Sequence, residues 1–130
     1  MPHALTFSAV EAIGRTLPDA EIATMYGQPA LKAGGRMLAC IASHKSAEPN
    51  SLVVMMDFAD RDALLEDEPQ TYYIKDHYAP YPCIVVRLSR IRLDALRDLI
   101  VGAHRYVNAK AAAKSKAGTR RGRPPRPSRR

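Results

Sequence analysis

The stretch ALKAGGRMLACIAS, residues 30–43, decides the fold that this sequence predicts. Its centre is Gly34-Gly35, and glycine freely adopts the positive φ that a two-residue hairpin turn requires. The run before the pair, residues 30–33, and the run after it, residues 36–43, are mainly apolar and of strand length. We therefore predict an antiparallel β-hairpin here.

Further strands are predicted on both sides of this hairpin. The chain before it has a strand that kinks at Gly27-Gln28-Pro29 and then continues into the first hairpin strand. A polar loop at residues 44–51 precedes a strand at 52–58, and a short helix that Asp57 and Asp60 can cap follows it. Residues 83–88 are rich in β-branched residues and are the most strand-like run of all. The remaining predicted strands are 21–26 and 71–74.

Two longer helices are predicted at the ends of this order. Ser8 and Glu11 form a capping-box pattern at the start of a helix over residues 8–16, and Pro18 ends it. A last helix begins near Arg92 and continues through the Ala- and Lys-rich residues 108–117, with Gly118 as its stop. Its apolar stripe at helical spacing consists of Leu93, Leu96, Leu99, Ile100, Ala103 and Val107.

The order α-β(3)-α-β(2)-α predicts an α+β fold with two layers, an antiparallel sheet and helices packed on one face. A body of about 109 residues can bury a core without help from metals or disulfides. Cys40 and Cys83 lie in apolar runs without CxxC spacing, so we expect buried, reduced thiols.

The charge of the chain is divided between two segments. Residues 1–109 hold eleven Lys and Arg against all thirteen Asp and Glu, a net charge of −2, whereas residues 110–130 hold nine cations and no acid. A block of like charges repels itself and cannot build a core. The sequence therefore predicts a folded domain over residues 1–109 and a basic tail over 110–130 that is disordered beyond Gly118.

Several motifs of the body resemble the signature of the MmcQ/YjbR family. The resemblance covers about residues 4–107, although Tyr26 stands where the family often has Trp and Leu38 where it has Phe. It implies a small bacterial protein with a secretion-chaperone-like fold and the family's usual DNA-binding label, and it supplies no catalytic residue. The matching segments are Tyr26-Gly27-Gln28-Pro29, Lys32-Ala33-Gly34-Gly35-Arg36-Met37, Leu64-Leu65, Tyr72-Tyr73 and Val85-Val86-Arg87-Leu88.

Within the tail, Arg121-Gly122-Arg123-Pro124 resembles the core of an AT-hook. The resemblance implies that Arg121 and Arg123 enter the narrow, strongly negative minor groove of A·T-rich DNA. The other tail cations would neutralise phosphates: Lys110, Lys114, Lys116, Arg120, Arg126, Arg129 and Arg130. In the body, a local excess of cations is available from Arg87, Arg90, Arg92, Arg97 and Arg105. The alternatives are a solubilising polycation and, for residues 124–127, a polyproline ligand.

A second candidate site is a group of tyrosines around Lys75, Asp76 and His77, namely Tyr72, Tyr73, Tyr78 and Tyr81. It could stack nucleic-acid bases, or His77 and Asp76 could act as acid–base groups. We favour a packing role, in which the rings cover the sheet edge and the hydroxyls are solvated.

No metal, cofactor or catalytic site is predicted. The histidines, His3, His44, His77 and His104, share no ligand spacing with one another or with the cysteines. No phosphate-binding glycine loop and no hydrolase or metalloprotease motif is present. We therefore expect a protein that is not an enzyme.

The predicted function is duplex DNA binding through the tail by a cytoplasmic, nucleoid-associated protein. The chain has no run of about 20 apolar residues and no signal-peptide pattern, so no membrane partner is expected. The alternative is a protein- or peptide-binding, chaperone-like body whose tail is a non-specific polycation. The body could also form a homodimer.

Overall fold

The structure, a computed structural model, describes the backbone of residues 5–121 and the side chains of residues 5–112. It contains a six-stranded antiparallel sheet in the order β1-β2-β3-β4-β6-β5. The strands are β1 (Ala20–Met25), β2 (Gln28–Ala33), β3 (Arg36–Ile41), β4 (Ser51–Met55), β5 (Tyr72–Tyr73) and β6 (Cys83–Arg87). The helices are α1 (Phe7–Gly14), α2 (Phe58–Asp67) and α3 (Leu93–Arg121). The α+β class and the antiparallel sheet are confirmed.

The predicted kink after residue 26 is a complete hairpin turn, so four strands rather than three precede α2. Tyr26 has a φ of 55° and Gly27 one of 78°, the pair of positive values that a tight two-residue turn between antiparallel strands needs. Tyrosine seldom adopts positive φ, which is why the sequence indicated only a kink. At Gly34-Gly35, where φ is 58° and 80°, the predicted hairpin between β2 and β3 is confirmed.

The main core lies between one face of the sheet and the helices, as predicted. The largest side chains buried there include Leu31, Leu38, Leu52 and Ile84 from the strands and Val10, Leu96 and Ile100 from α1 and α3. Helix α2 adds Leu64 and Leu65, which are partly buried against the same cluster. The predicted stripe of α3 is correct except for Leu93, which is 47% exposed.

The opposite face of the sheet carries a second, smaller core. Val53 and Val85 are buried at its centre, and Tyr73 and Tyr78 pack beside them with both cysteines. Arg61 of α2 holds the segment that leads into β6, because its Nη1 donates to the carbonyl oxygens of Ala79, at 3.0 Å, and Tyr81, at 3.1 Å. The sheet is therefore packed on both faces near β4 and β6.

The ends of the helices follow the expected capping chemistry with two differences. Asp57 caps α2, since its Oδ1 accepts from the backbone N–H of Asp60 at 2.8 Å. Helix α1 is capped by Thr6 and not by Ser8. Helix α3 continues past Gly118 to Arg121. A single glycine costs a helix about 1 kcal/mol relative to alanine, and the surrounding Ala and Lys residues favour the helix.

Within the described residues, none of the helices has the length and hydropathy needed to cross a lipid bilayer. The predicted disorder beyond Gly118 concerns residues 119–121, which are helical, and residues 122–130, which lie outside the described part of the chain.

Candidate functional site

A groove with a volume of about 1110 Å³ opens on the second face of the sheet. Its floor is apolar and includes Met25, Met37, Cys40, Val53 and Met55. The strand register explains this composition. Cys40 is paired with Val53 and Met55 with Cys83, and paired residues point to the same face. The floor of the groove is thus formed by alternate residues of several strands. Arg36 differs, because its partner Ala33 belongs to the main core, so its side chain starts on the helix side and reaches the groove at the end of the sheet.

The groove runs between the two ends of the sheet. At one end is Tyr26, which is 85% exposed at the turn between β1 and β2. At the other end is Arg36, the first residue of β3, which pairs with Ala33 beside the start of β1. The groove is therefore about as long as β3, roughly 17 Å at the usual rise per strand residue.

Helix α3 passes the end of the sheet at which Arg36 lies. His104 Nε2 is 2.9 Å from the carbonyl oxygen of Pro18, just before β1. Within the next two turns, Val107 and Lys110 line the groove together with Tyr106. Lys110 Nζ is 5.8 Å from the centre of the Tyr106 ring. The basic segment of the chain therefore begins at the groove.

Two stacked imidazoles form one wall of the groove. The rings of His44 and His77 have centroids 3.8 Å apart and an interplanar angle of 11°. Tyr78 packs edge-on against both rings, and its hydroxyl accepts from the backbone N–H of His44 at 3.2 Å. Burial and the positive charges of His77 and Lys45 lower the pKa of His44 below its ordinary 6.5. The His44 imidazole is therefore mainly neutral at pH 7.

The tyrosine cluster is mostly part of the second core. Tyr72, Tyr73 and Tyr78 are buried, so their faces are not available for stacking on bases. The predicted solvated hydroxyl is wrong for Tyr73, whose OH lies 2.7 Å from Ser51 Oγ and accepts from the Glu48 N–H at 2.8 Å. It is also wrong for Tyr78, as described above. Tyr81 differs, since its ring is 57% exposed at the rim of the groove.

The two thiols are buried and free, as predicted. Burial raises the pKa of both Cys40 and Cys83 to about 11, and the proximity of Cys83 adds to the effect at Cys40. Because the thiolate is the nucleophile, neither cysteine is poised for covalent chemistry near neutral pH. Both contribute apolar surface to the groove.

The arginines predicted in the body are partly engaged in ion pairs. Arg87 forms a two-point ion pair with Glu48, and Arg92 Nε is 3.5 Å from Asp94 Oδ1. Arg90 and Arg97 are exposed. Arg90 and Arg92 line a depression of about 410 Å³ with three acids, Glu68, Asp94 and Asp98. These carboxylates offset the local positive charge, and a contribution of the body arginines to DNA binding stays a prediction.

The predicted tail residues fall into two groups. The backbone of Lys110, Lys114, Lys116, Arg120 and Arg121 lies on α3. Gly122, Arg123, Pro124 and Arg126 lie outside the described residues, as do Arg129 and Arg130. The AT-hook-like motif therefore begins at the last described residue of the helix.

In the part of the chain with described side chains, no three His, Cys, Asp or Glu residues form a group that could hold a metal ion. His77 stacks on His44, which places it beside the groove. The acid–base role considered for His77 and Asp76 stays a hypothesis.

Comparison with known proteins supports the fold. No family model matches the chain, and no curated protein matches it by sequence. Among solved structures, the chain is similar to the crystal structure of the Deinococcus radiodurans protein DR2400, which contains a DUF419 domain. The TM-score is 0.64 at 18% identity, over 78% of this chain and 77% of that chain. At this identity the similarity shows a shared fold.

The groove is the feature that sequence reasoning missed. The sequence did carry an indication of a second packed face, because the segments that form β4 and β6 are apolar at almost every position and are almost entirely buried. An antiparallel strand that is apolar on both sides indicates that both faces of its sheet are covered. The sequence does not show which part of the second face the loops of the protein leave uncovered. That uncovered part is the groove.

Proposed function

We propose that this protein binds duplex DNA through its basic C-terminal arm, residues 110–130, without catalysing a reaction. The observation that carries the proposal is the continuity of α3. The helix is anchored in the core by Leu96, Ile100, Ala103 and Val107 and runs on to Arg121. The first cations of the arm thus lie on a helix that is continuous with a body of net charge −2.

The charge distribution makes phosphate contacts the main source of affinity. The arm has nine cations and no acid, and each neutralised phosphate releases a counterion. If about five phosphates are engaged, the slope of log affinity against log salt is about −4 to −5. Arg121 and Arg123 add a preference for A·T-rich sites, since narrow minor grooves attract arginine side chains.

We further propose that the chain belongs to the MmcQ/YjbR family, which is commonly labelled DNA-binding. The fold shared with the DUF419 protein supports this assignment, as do the motifs at residues 26–29 and 32–37. The Tyr26-Gly27 part of the first motif forms the β1–β2 turn, which explains why a glycine is needed there. A nucleoid-associated, cytoplasmic location follows from the proposed role.

Fluorescence anisotropy on A·T-rich and G·C-rich hairpin duplexes tests the function. The variants are Arg121→Ala/Arg123→Ala and, as a control with the same loss of charge, Arg15→Ala/Lys45→Ala, two exposed residues of the body. We expect the full chain to prefer the A·T-rich duplex and the first variant alone to lose that preference. If both duplexes bind with equal affinity and that affinity falls steeply with salt, the arm is a non-specific polycation. In that case the peptide-binding role of the body becomes the better account.

A further inference from the structure

The groove on the second face has a charge that differs from that of the body around it. All thirteen acids of the chain lie within residues 1–109. Nevertheless, among the described residues no Asp or Glu lines the groove. Its basic lining residues are Arg36 and Lys110, and the imidazoles of His44 and His77 add further nitrogen atoms. The groove is therefore an apolar surface whose charged groups are all cationic.

The cations are concentrated at one end of the groove. Arg36 begins β3 at the end of the sheet where β1 starts. Lys110 follows Val107 by about one turn of α3, and α3 passes this same end beside Pro18. Within the described part of the chain, neither Arg36 nor Lys110 forms an ion pair with a carboxylate. From this end the methionine-rich floor extends toward Tyr26.

We propose that this groove binds an anionic amphiphile, a small carboxylate with an elongated apolar chain. The carboxylate lies between Arg36 and Lys110, where it receives charge-assisted hydrogen bonds. The chain lies along Met37, Met55 and Met25, because flexible, polarisable methionine side chains adapt to linear apolar ligands. Predominantly apolar walls with a few polar groups at one end are typical of small-molecule sites.

Other occupants match the groove less well. The chain's own arm carries nine cations and no acid, so it would place like charges against Arg36 and Lys110. An extended peptide brings backbone N–H and C=O groups that lose their water partners on an apolar floor. A second copy could offer the acids of α2, but the exposed Asp60 and Asp62 supply no apolar chain to cover the methionines.

Equilibrium binding to the full chain tests the proposal with dodecanoate and dodecylamine, each below its critical micelle concentration, and with dodecanol below its solubility limit. We expect one molecule of dodecanoate per chain. Dodecanol should bind about tenfold more weakly, because it lacks the charge that Arg36 and Lys110 recognise. Dodecylamine should bind more weakly still. Equal binding of all three ligands would overturn the proposal, because the cations would then have no role.

Methionine methyl NMR locates the ligand. Met55 lines the groove, while the next residue, Met56, is buried in the core on the helix side of the sheet. Dodecanoate should shift the methyl signals of Met25, Met37 and Met55 and leave that of Met56 in place. A shift at Met56 alone, or at no methionine, would contradict the site.

A matched pair of charge reversals separates this site from the DNA arm. Arg36→Glu should weaken dodecanoate binding by tenfold or more and leave the arm intact. Arg97 is an exposed arginine on α3 that does not line the groove. Arg97→Glu should therefore have no effect on dodecanoate binding. Equal losses in both variants would overturn the proposal. The proposal would also be overturned if dodecanoate showed no saturable binding and the groove bound only a peptide or a second copy of the chain.

Discussion

Arg87 and Glu48 form a two-point ion pair across the second face of the protein, with Nε–Oε1 and Nη2–Oε2 distances of 2.8 Å each. Arg87 Nη1 also donates to the carbonyl oxygens of Pro69 and Gln70, and its guanidinium lies 4.5 Å from the centre of the Tyr73 ring. This arginine therefore connects the loop before β4, the segment before β5 and the edge of the sheet. In the structure Arg87 joins parts of the fold, whereas from the sequence alone we considered it as a contact to DNA.

The ion pair predicts a pH-dependent contribution to stability. The hydrogen bond from Arg87 lowers the pKa of Glu48 below its ordinary 4.5. A carboxyl whose pKa is lower in the folded state stabilises the protein above its unfolded pKa, and that contribution is lost as the pH falls through the folded pKa. We expect Glu48→Gln to lower the urea midpoint at pH 7, and we expect its difference from the wild type to shrink as the pH is lowered below 4.5. A difference in urea midpoint that stays the same as the pH falls would contradict a role for the ionised Glu48 carboxylate.

Tyr73→Phe should destabilise the protein by about 1–3 kcal/mol, the cost of leaving a buried polar group unpaired. The variant removes the hydroxyl that serves both Ser51 Oγ and the Glu48 N–H. Tyr26→Phe is the control, because Tyr26 is almost fully exposed and should lose less than about 0.5 kcal/mol. Chemical denaturation measures both. Similar losses of unfolding free energy in the two variants would show that the hydrogen bonds of the Tyr73 hydroxyl do not stabilise the protein.

Gly14→Ala and Gly102→Ala should change stability in opposite directions. A Cβ on Gly14 would collide with Leu31 Cδ1, and Leu31 is completely buried in the main core. Overpacking of this kind costs about 1–3 kcal/mol. At Gly102 nothing lies within 4 Å of the added Cβ, so alanine should stabilise α3 by up to about 1 kcal/mol. Thermal unfolding of both variants checks the prediction, and a stable Gly14→Ala protein would contradict the packing of α1 on β2.

The stacked imidazoles predict a shifted titration of His44. Its pKa is lowered by burial, by His77 and by Lys45, so NMR should give a value below 6.5 for the His44 ring. His77→Gln should raise that value, because it removes one neighbouring positive charge. Since the folded pKa lies below the unfolded one, the contribution of His44 to stability is complete above about pH 6.5. It is lost as the pH falls from the unfolded pKa through the folded pKa, because over this range the unfolded state binds the proton more readily. A His44 pKa that does not respond to His77→Gln would contradict the stack.

Sequence reasoning predicted the elements that depend on local chemistry. Gly34-Gly35 requires positive φ and marked its hairpin correctly, and Asp57 capped α2 as expected. The β1–β2 turn was missed because Tyr26 adopts a φ that its side chain disfavours. The end of α3 was missed because one glycine, Gly118, does not offset the helix propensity of its neighbours.

The features that depend on tertiary packing could not be predicted. The partners of Arg87 and the stacking of His44 on His77 come from residues far apart in the chain. The groove exists because loops cover part of the second face and leave the methionines open. By contrast, the charge of the arm is visible directly in the sequence, which is why the proposed function rests on it.

Deletion of the arm tests the proposed function most directly. Anisotropy on a mixed-sequence duplex at two salt concentrations compares the full chain with residues 1–109, which retain Val107 and the rest of the core stripe of α3. A thermal melt shows whether the shortened chain is folded. We predict that the full chain binds with a steep salt dependence and that residues 1–109 bind at least about a hundredfold more weakly, because the phosphate contacts are lost. A folded 1–109 protein that keeps most of the affinity would contradict the account and assign DNA binding to the body.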